Sequence, residues 1–260
     1  GAMMHTAQAI QRAAVATESP GIKRIHARID QGRLTAEQIT VAATPMPACE
    51  PEDVPETTLR IGWREVLHRE DWLAFECVNI LHAKNGGKNL PHAYTIEIEH
   101  TAAGEEFLAR LEPTPRRAEF AILDPDRTAT PMFDPLTDTP VIINRSDARI
   151  LALAPERLPA TSPLAEIILD NTIWVRTQDG TLYPAPRNST YGLSWGYGGG
   201  GPRTLAALIV QLLDDITAPG AKPNTDEPLP HDLLRLLEHK WPNGTVLTRA
   251  RLETACNGSR

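Results

Sequence analysis

Cysteine is scarce in this chain of 260 residues: only Cys49, Cys77 and Cys256 occur, far apart in sequence. That spacing excludes a disulfide framework and the usual zinc patterns, and it fits a reducing cytoplasm. No run approaches the 18 apolar residues of a membrane span, and no charged-then-apolar leader opens the chain. A cytoplasmic location without membrane association is therefore expected. Positive charge is also short: 26 Lys and Arg against 33 Asp and Glu leave a net charge of −7. Nucleic acid is accordingly not expected as a partner for the acidic bulk of the chain. Nor does the sequence contain G-x-S-x-G, H-E-x-x-H or C-x-x-C. No catalytic residue or metal site is assigned, the cofactor is unknown, and whether the chain is an enzyme stays open.

A hydrophobic content of 41% supports a real core, while 23 prolines gather between the periodic segments. Elements of both kinds alternate irregularly, which predicts an α+β protein, a mixed α/β region flanked by short helical segments. The expected organisation is a small helical segment over residues 4–43 and a linker over 44–56. A mixed region over 57–160 and a hairpin with a glycine loop and helix over 161–218 follow. A second linker over 219–230 then leads into a helical tail over 231–257.

Residues 6–16 are alanine-rich, Ile22, Ile25 and Ile29 form an apolar seam, and Thr35 to Gln38 reads as a capping box. Three short helices of this kind suit a helix-turn-helix. Up to Ala43 the basic residues are Arg12, Lys23, Arg24, Arg28 and Arg33, against acidic Glu18, Asp30 and Glu37. Five minus three gives +2, thin support for DNA binding, which rests on neutralising phosphates. The linker that follows carries Pro45, Pro47, Pro51 and Pro55 among acidic residues; these neighbours would raise the Cys49 thiol rather than activate it.

In the mixed region, residues 57–62 read as a first strand and 70–83 as a helix with Leu73, Cys77, Ile80 and Leu81 on its apolar face. Trp72 and Phe75 widen that face. Residues 92–100 alternate as a half-buried strand. His92 and His100 share one face there but stand roughly 26 Å apart at about 3.3 Å per residue, too far for a common metal. A short helix over 104–111, strands over 119–123 and 141–143, and a helix over 146–153 complete the region. Asp124, Asp126, Asp134 and Asp138 crowd a proline-rich loop. Carboxylates of this kind serve metal-dependent nucleases, but aspartates beside prolines are also ordinary turn formers. Lys84, Lys88 and Gly86-Gly87 form either an anion-binding tip or a solvated helix end.

The most informative stretch is residues 171–216. Two β-prone runs, 173–177 and 181–183, flank Gln178-Asp179-Gly180, a hairpin turn signal. After Tyr191 come Trp195, Gly196 and Tyr197, four glycines (Gly198, Gly199, Gly200, Gly201) and Pro202-Arg203. Pro202 suits a first helical position, and Leu205, Leu208, Ile209, Leu212 and Ile216 make one buried stripe. Backbone N–H groups at such a glycine-rich helix start can cradle an anion. That reading makes Trp195, Tyr197, Gly198, Gly199, Gly200, Gly201 and Arg203 the candidate ligand-binding residues, with a phosphate-containing ligand. The alternative is architectural: glycines let the backbone pass close to Trp195 and Tyr197. Gly196, Gly198 and Gly201 match G-x-G-x-x-G, but a linker follows the helix where a dinucleotide site needs a strand.

The same residues resemble an uncharacterised domain family of bacteria, phages and plasmids. Its signature reads approximately G-[FY]-x-W-G-Y-G-G-[ST]-G-P-x-x-L-A. Gly192, Trp195, Gly196, Tyr197, Gly198, Gly199, Gly201, Pro202, Leu205 and Ala206 match, whereas Gly200 replaces the usual hydroxyl residue. The resemblance covers residues 171–216 alone and implies a bacterial, mobile-element context rather than a mechanism.

In the tail, Leu233, Leu234, Leu237 and Trp241 form an apolar helix face, Pro242-Asn243-Gly244 turns the chain, and residues 246–256 read as a second helix. So leucine-rich a face is expected to pack on the core rather than face water. The leading expectation is a non-catalytic binding or interaction protein of unknown partner, a protein or a phosphate-containing ligand being the candidates. The alternatives are an enzyme acting on a phosphate-containing substrate through the glycine loop, and a DNA-binding regulator working through residues 6–43.

Overall fold

The computed structural model describes residues 56–84, 94–144, 148–188, 192–223 and 228–258. The helical segment at 4–43, the linker up to residue 55, His92, Lys88 and Tyr191 all lie outside the described residues. The fold is α+β, as the alternation of periodicities predicts. The chain divides into two compact units: residues 1–90 with 115–127, and residues 91–114 with 128–260. The expected boundary between residues 160 and 161 thus runs inside the second unit.

The described part of the first unit is helical: α1 (Glu56–His68), α2 (Trp72–Lys84) and, in chain order after α3 below, the short α4 (Phe120–Leu123). Residues 57–62 are therefore helix, not strand. The β-branched run there is outweighed by Trp63, Val66 and Leu67, spaced i, i+3, i+4 and turned away from solvent. Asp71 caps α2, its Oδ1 accepting from the Ala74 N–H at 3.0 Å. The buried face of α2 is Ala74, Phe75, Val78 and Asn79, whereas Cys77 and Leu81 are exposed. The apolar pattern is broad enough to suit either face, and packing against α4 chooses this one. Residues 120–123 are likewise helical rather than a strand, with all four side chains buried. A short apolar run of that length carries no periodicity that separates the two.

The second unit is built around two antiparallel sheets. Sheet one has the order β1-β5-β4-β3-β2, with β1 (Thr95–Glu97), β2 (Glu112–Pro113), β3 (Thr130–Asp134), β4 (Thr139–Ile143) and β5 (Ile150–Leu153). Sheet two has the order β8-β7-β6-β9, with β6 (Leu164–Leu169), β7 (Trp174–Thr177), β8 (Leu182–Pro184) and β9 (Thr245–Thr248). Four helices belong to this unit: α3 (Ala102–Leu108), α5 (Gly200–Asp214), α6 (His231–Glu238) and α7 (Arg249–Asn257). Residues 150–153 are β5 where a helix was expected. Ile150↔Ile143 and Ala152↔Val141 pairing with β4 overrides their helix-compatible composition. Part of the expected proline-rich loop is β3, paired with β4 from Thr130↔Ile143 to Asp134↔Thr139. The expected tail helix is shorter at its start, because Val246 belongs to β9.

Sheet two is the middle layer of this unit. Ile168, Trp174 and Leu182 point into a core shared with Phe107 of α3 and with Val141 and Ala152 of sheet one. Their neighbours Ile167, Leu169, Val175 and Tyr183 point the other way, into a core with Leu205, Leu208, Leu233, Leu237 and Leu252. Burial on both faces explains the near-continuous apolar reading of β6, in which no alternation is visible. It also places the tail: α6 and α7 are core helices, and β9 is an edge strand paired with β6 from Glu166↔Thr248 to Leu169↔Thr245. Among the described residues no helix is long and apolar enough to cross a membrane.

Candidate functional site

Two neighbouring features meet at the C-terminal end of α6: the glycine turn before α5, and a groove between α6 and α7. The hairpin leading to the turn forms as its sequence predicts. Gly180 takes φ +88°, and Asp179 accepts from the Thr177 hydroxyl at 2.6 Å and from the Thr181 N–H at 3.1 Å. After β8 the chain reaches Leu193, which is buried, and Trp195, which is half-buried against the α5–α7 core. Gly196 has φ +88°, a conformation that favours glycine, and its N–H donates to the Leu237 carbonyl at 2.7 Å. The turn is thus bonded to the last part of α6.

The glycines beyond it make room for Tyr197. Its hydroxyl and the Ser194 hydroxyl are 2.7 Å apart, and its ring lies along the start of α5. A Cβ at Gly199 would sit 2.8 Å from Tyr197 Cε2, and one at Gly201 would run into Ser194 Oγ. The glycines therefore accommodate the chain's own aromatic side chain. Gly198 faces the Glu238 carboxylate, whose Oε1 lies 3.7 Å from the position of a Cβ there. Helix α5 begins at Gly200 with Gly199 as N-cap, so Pro202 is its third residue rather than its first. Arg203 is exposed on the first turn. The expected stripe of Leu205, Leu208, Ile209 and Leu212 is buried, while Ile216 lies past the helix end and packs on the core from the following turn. Of the candidate residues, Gly199 and Gly201 lie against Tyr197, while Trp195 packs on the core and Arg203 is exposed.

The groove on the other side of α6 is open and has a volume of about 560 Å³. Asp232, Arg235, Leu236 and His239 line it from α6 and the residue after it, at i, i+3, i+4 and i+7. Arg251, Thr254, Ala255 and Gly258 line it from α7 and its cap with the same spacing. This is one face of each helix, beside the buried Leu233, Leu237 and Leu252, and Leu236 and Ala255 of the lining pack on the same core. Trp241 completes the lining, fixed by its Nε1–H, which donates to the Leu236 carbonyl at 2.8 Å. The Arg251 guanidinium lies 4.5 Å from the Trp241 ring centroid, and the His239 ring centroid lies 4.4 Å from the same ring at 60°. A guanidinium over an indole face is an attractive arrangement that orients the cation while leaving its N–H edges available. Asp232 lies at the far end, near the C-terminal cap of α7.

Other charged groups serve the fold. The fully buried Asp134 receives two bonds from Arg110, at 2.8 and 2.9 Å, and further bonds from the Leu136 N–H and the Thr137 hydroxyl. Asp124 pairs with Arg116 at 2.7 Å. Two of the four aspartates raised as metal ligands are therefore committed to arginines, and Asp126 and Asp138 are exposed. Among the described residues no group of three His, Cys, Asp or Glu is placed to hold a metal ion. Burial of its guanidinium pulls Arg187 down to about 10. Cys77 and Cys256 are free thiols. Desolvation raises both, helped by Asp71 and Glu76 at the first and by Glu253 at the second, which is the opposite of activation.

Sequence reasoning placed Trp241 on the apolar face of the tail but missed the groove. The signal was present as a second i, i+3, i+4, i+7 pattern, 232/235/236/239, repeated at 251/254/255/258. Compared with protein-family models, with curated proteins and with solved structures, the chain matches none.

Proposed function

We propose that this chain is a non-catalytic binding protein whose contact surface is the groove between α6 and α7. The observation that carries the reading is Trp241 in an open groove, contacted by the rings and cation of His239 and Arg251 and anchored to the Leu236 carbonyl. Aromatic and arginine side chains in a partly open depression are the composition expected at the centre of a binding surface. The alternative site, the glycine turn, has less in its favour. Tyr197 occupies the space over Gly199 and Gly201, and the Glu238 carboxylate stands beside Gly198 where an anion would approach. A reducing, cytoplasmic setting and a mobile-element origin are part of the proposal, resting on the free thiols and on the signature around Trp195 to Pro202.

Selection of a displayed peptide library against the full chain tests it. Binders are expected to lose their affinity for a Thr254→Trp variant, in which the exposed Thr254 position is filled, with folding checked by circular dichroism. They are expected to bind a Tyr197→Ala variant unchanged. Binders indifferent to Thr254→Trp, or a library with no binders, would overturn the assignment of the groove.

A further inference from the structure

Four of the nine described arginines of the second unit sit on carboxylates: Arg110 on Asp134, Arg149 on Glu97, Arg176 on Glu106, and Arg249 on Glu253. Arg235 and Arg251 do not. Both line the groove, both are exposed, and among the described residues neither has a carboxylate within ion-pair distance. In a chain of net charge −7, this depression carries two arginines without an ion pair against one carboxylate, Asp232. Arg251 also lies over the Trp241 ring, which biases its guanidinium towards the groove.

Resting on the reading of the groove as the contact surface, we propose that its ligand is an acidic peptide segment of a partner protein. Carboxylates would pair with Arg235 and Arg251, and an apolar side chain would lie against Trp241 and Leu236. Three observations select this occupant. The groove is open, so it would cover too little of a small molecule, whose sites enclose most of the ligand. Its lining runs about 10 Å along α6 from Asp232 to His239, at about 1.5 Å per residue, the span of about three extended residues. Two arginines with Asp232 at one end offer contacts for one or two carboxylates rather than for a continuous phosphate backbone. Arginine is suited to this role because its fork of N–H groups matches a carboxylate with two parallel bonds.

The test uses the full chain and an array of dodecapeptides carrying zero to six Asp or Glu residues, read by fluorescence anisotropy. Affinity is expected to rise from zero to two acidic residues, to gain nothing from more, and to fall with added salt. The double variant Arg235→Glu, Arg251→Glu should bind the acidic peptides at least ~10-fold more weakly, about 1.4 kcal/mol, and should prefer peptides in which Lys replaces Asp and Glu. Both positions are exposed, so the variant should keep the parent's circular dichroism spectrum; an Arg251→Gln variant gives a milder version of the same loss. Peptides that bind the groove without regard to acidic content would overturn the acidic ligand while leaving the groove as a contact surface. Binding of a twelve-nucleotide single strand in preference to every peptide would overturn it in favour of nucleic acid. Acidic peptides whose binding survives charge reversal would place their site elsewhere.

Discussion

Gly196 and Trp241 lean on the same short piece of helix. The first donates its N–H to the Leu237 carbonyl, the second its indole N–H to the Leu236 carbonyl. On one side of that piece the chain closes on itself: Tyr197 lies over the glycines and bonds to Ser194. On the other side two helices present matching faces with nothing between them but side-chain tips. Glycine-rich sequence thus marks the filled region, and an ordinary amphipathic pair of helices makes the open one. The contrast follows from what glycine removes. Without a Cβ, the start of α5 has room for a ring, and the nearest ring belongs to the next residue but one.

Three substitutions would break or sharpen this contrast. Leu237 is fully buried and supports both regions, so Leu237→Ala should cost about 2–5 kcal/mol through lost burial and a cavity. Chemical denaturation should show it as a lower midpoint with little change in slope. A loss much below that would mean that the end of α6 is not the common support. Gly201→Val is next. Its side chain would displace Ser194 Oγ and the Tyr197 hydroxyl, with an expected cost of about 1–3 kcal/mol from overpacking. Tyr197 is half exposed already, so its displacement would be read from the shift of its ring resonances in an NMR spectrum. Unchanged stability with an unmoved Tyr197 would remove the case for a self-filled turn. Smallest is Arg251→Ala, which touches an exposed cation on an aromatic ring and should stay within about 0.5 kcal/mol of the parent. A cost as large as that of Gly201→Val would make the groove a structural feature rather than a contact surface.

Much of the fold is visible in local pattern. The Asp-Gly turn, Leu205 to Leu212 of the α5 stripe and the leucines of α6 depend on near neighbours in sequence and form as their spacing predicts, whereas Ile216 and Trp241 lie beyond the helix ends. The failures share a cause. Residues 57–62, 120–123 and 150–153 are short, the first β-branched and the other two wholly apolar, so none carries a periodicity that separates helix from strand. The pairing partner or the packed neighbour then decides. The candidate site divides in the same way. Trp195, Tyr197, the glycines and Arg203 are brought together by local sequence, which is why a motif could mark them. The groove joins two faces that lie some twenty residues apart in sequence, and no motif spans them.

Composition and spacing by themselves determined that this is an α+β chain with a hairpin, a glycine-started helix and an apolar tail. Those properties follow from φ preferences and from side-chain periodicity, which act within a few residues. What fills the space above the glycines, and which helix faces remain open to a partner, was decided only by the tertiary structure. Steric exclusion and uncompensated charge depend on which side chains arrive from elsewhere in the chain, and the sheet that sets α6 beside both α5 and α7 governs that arrival.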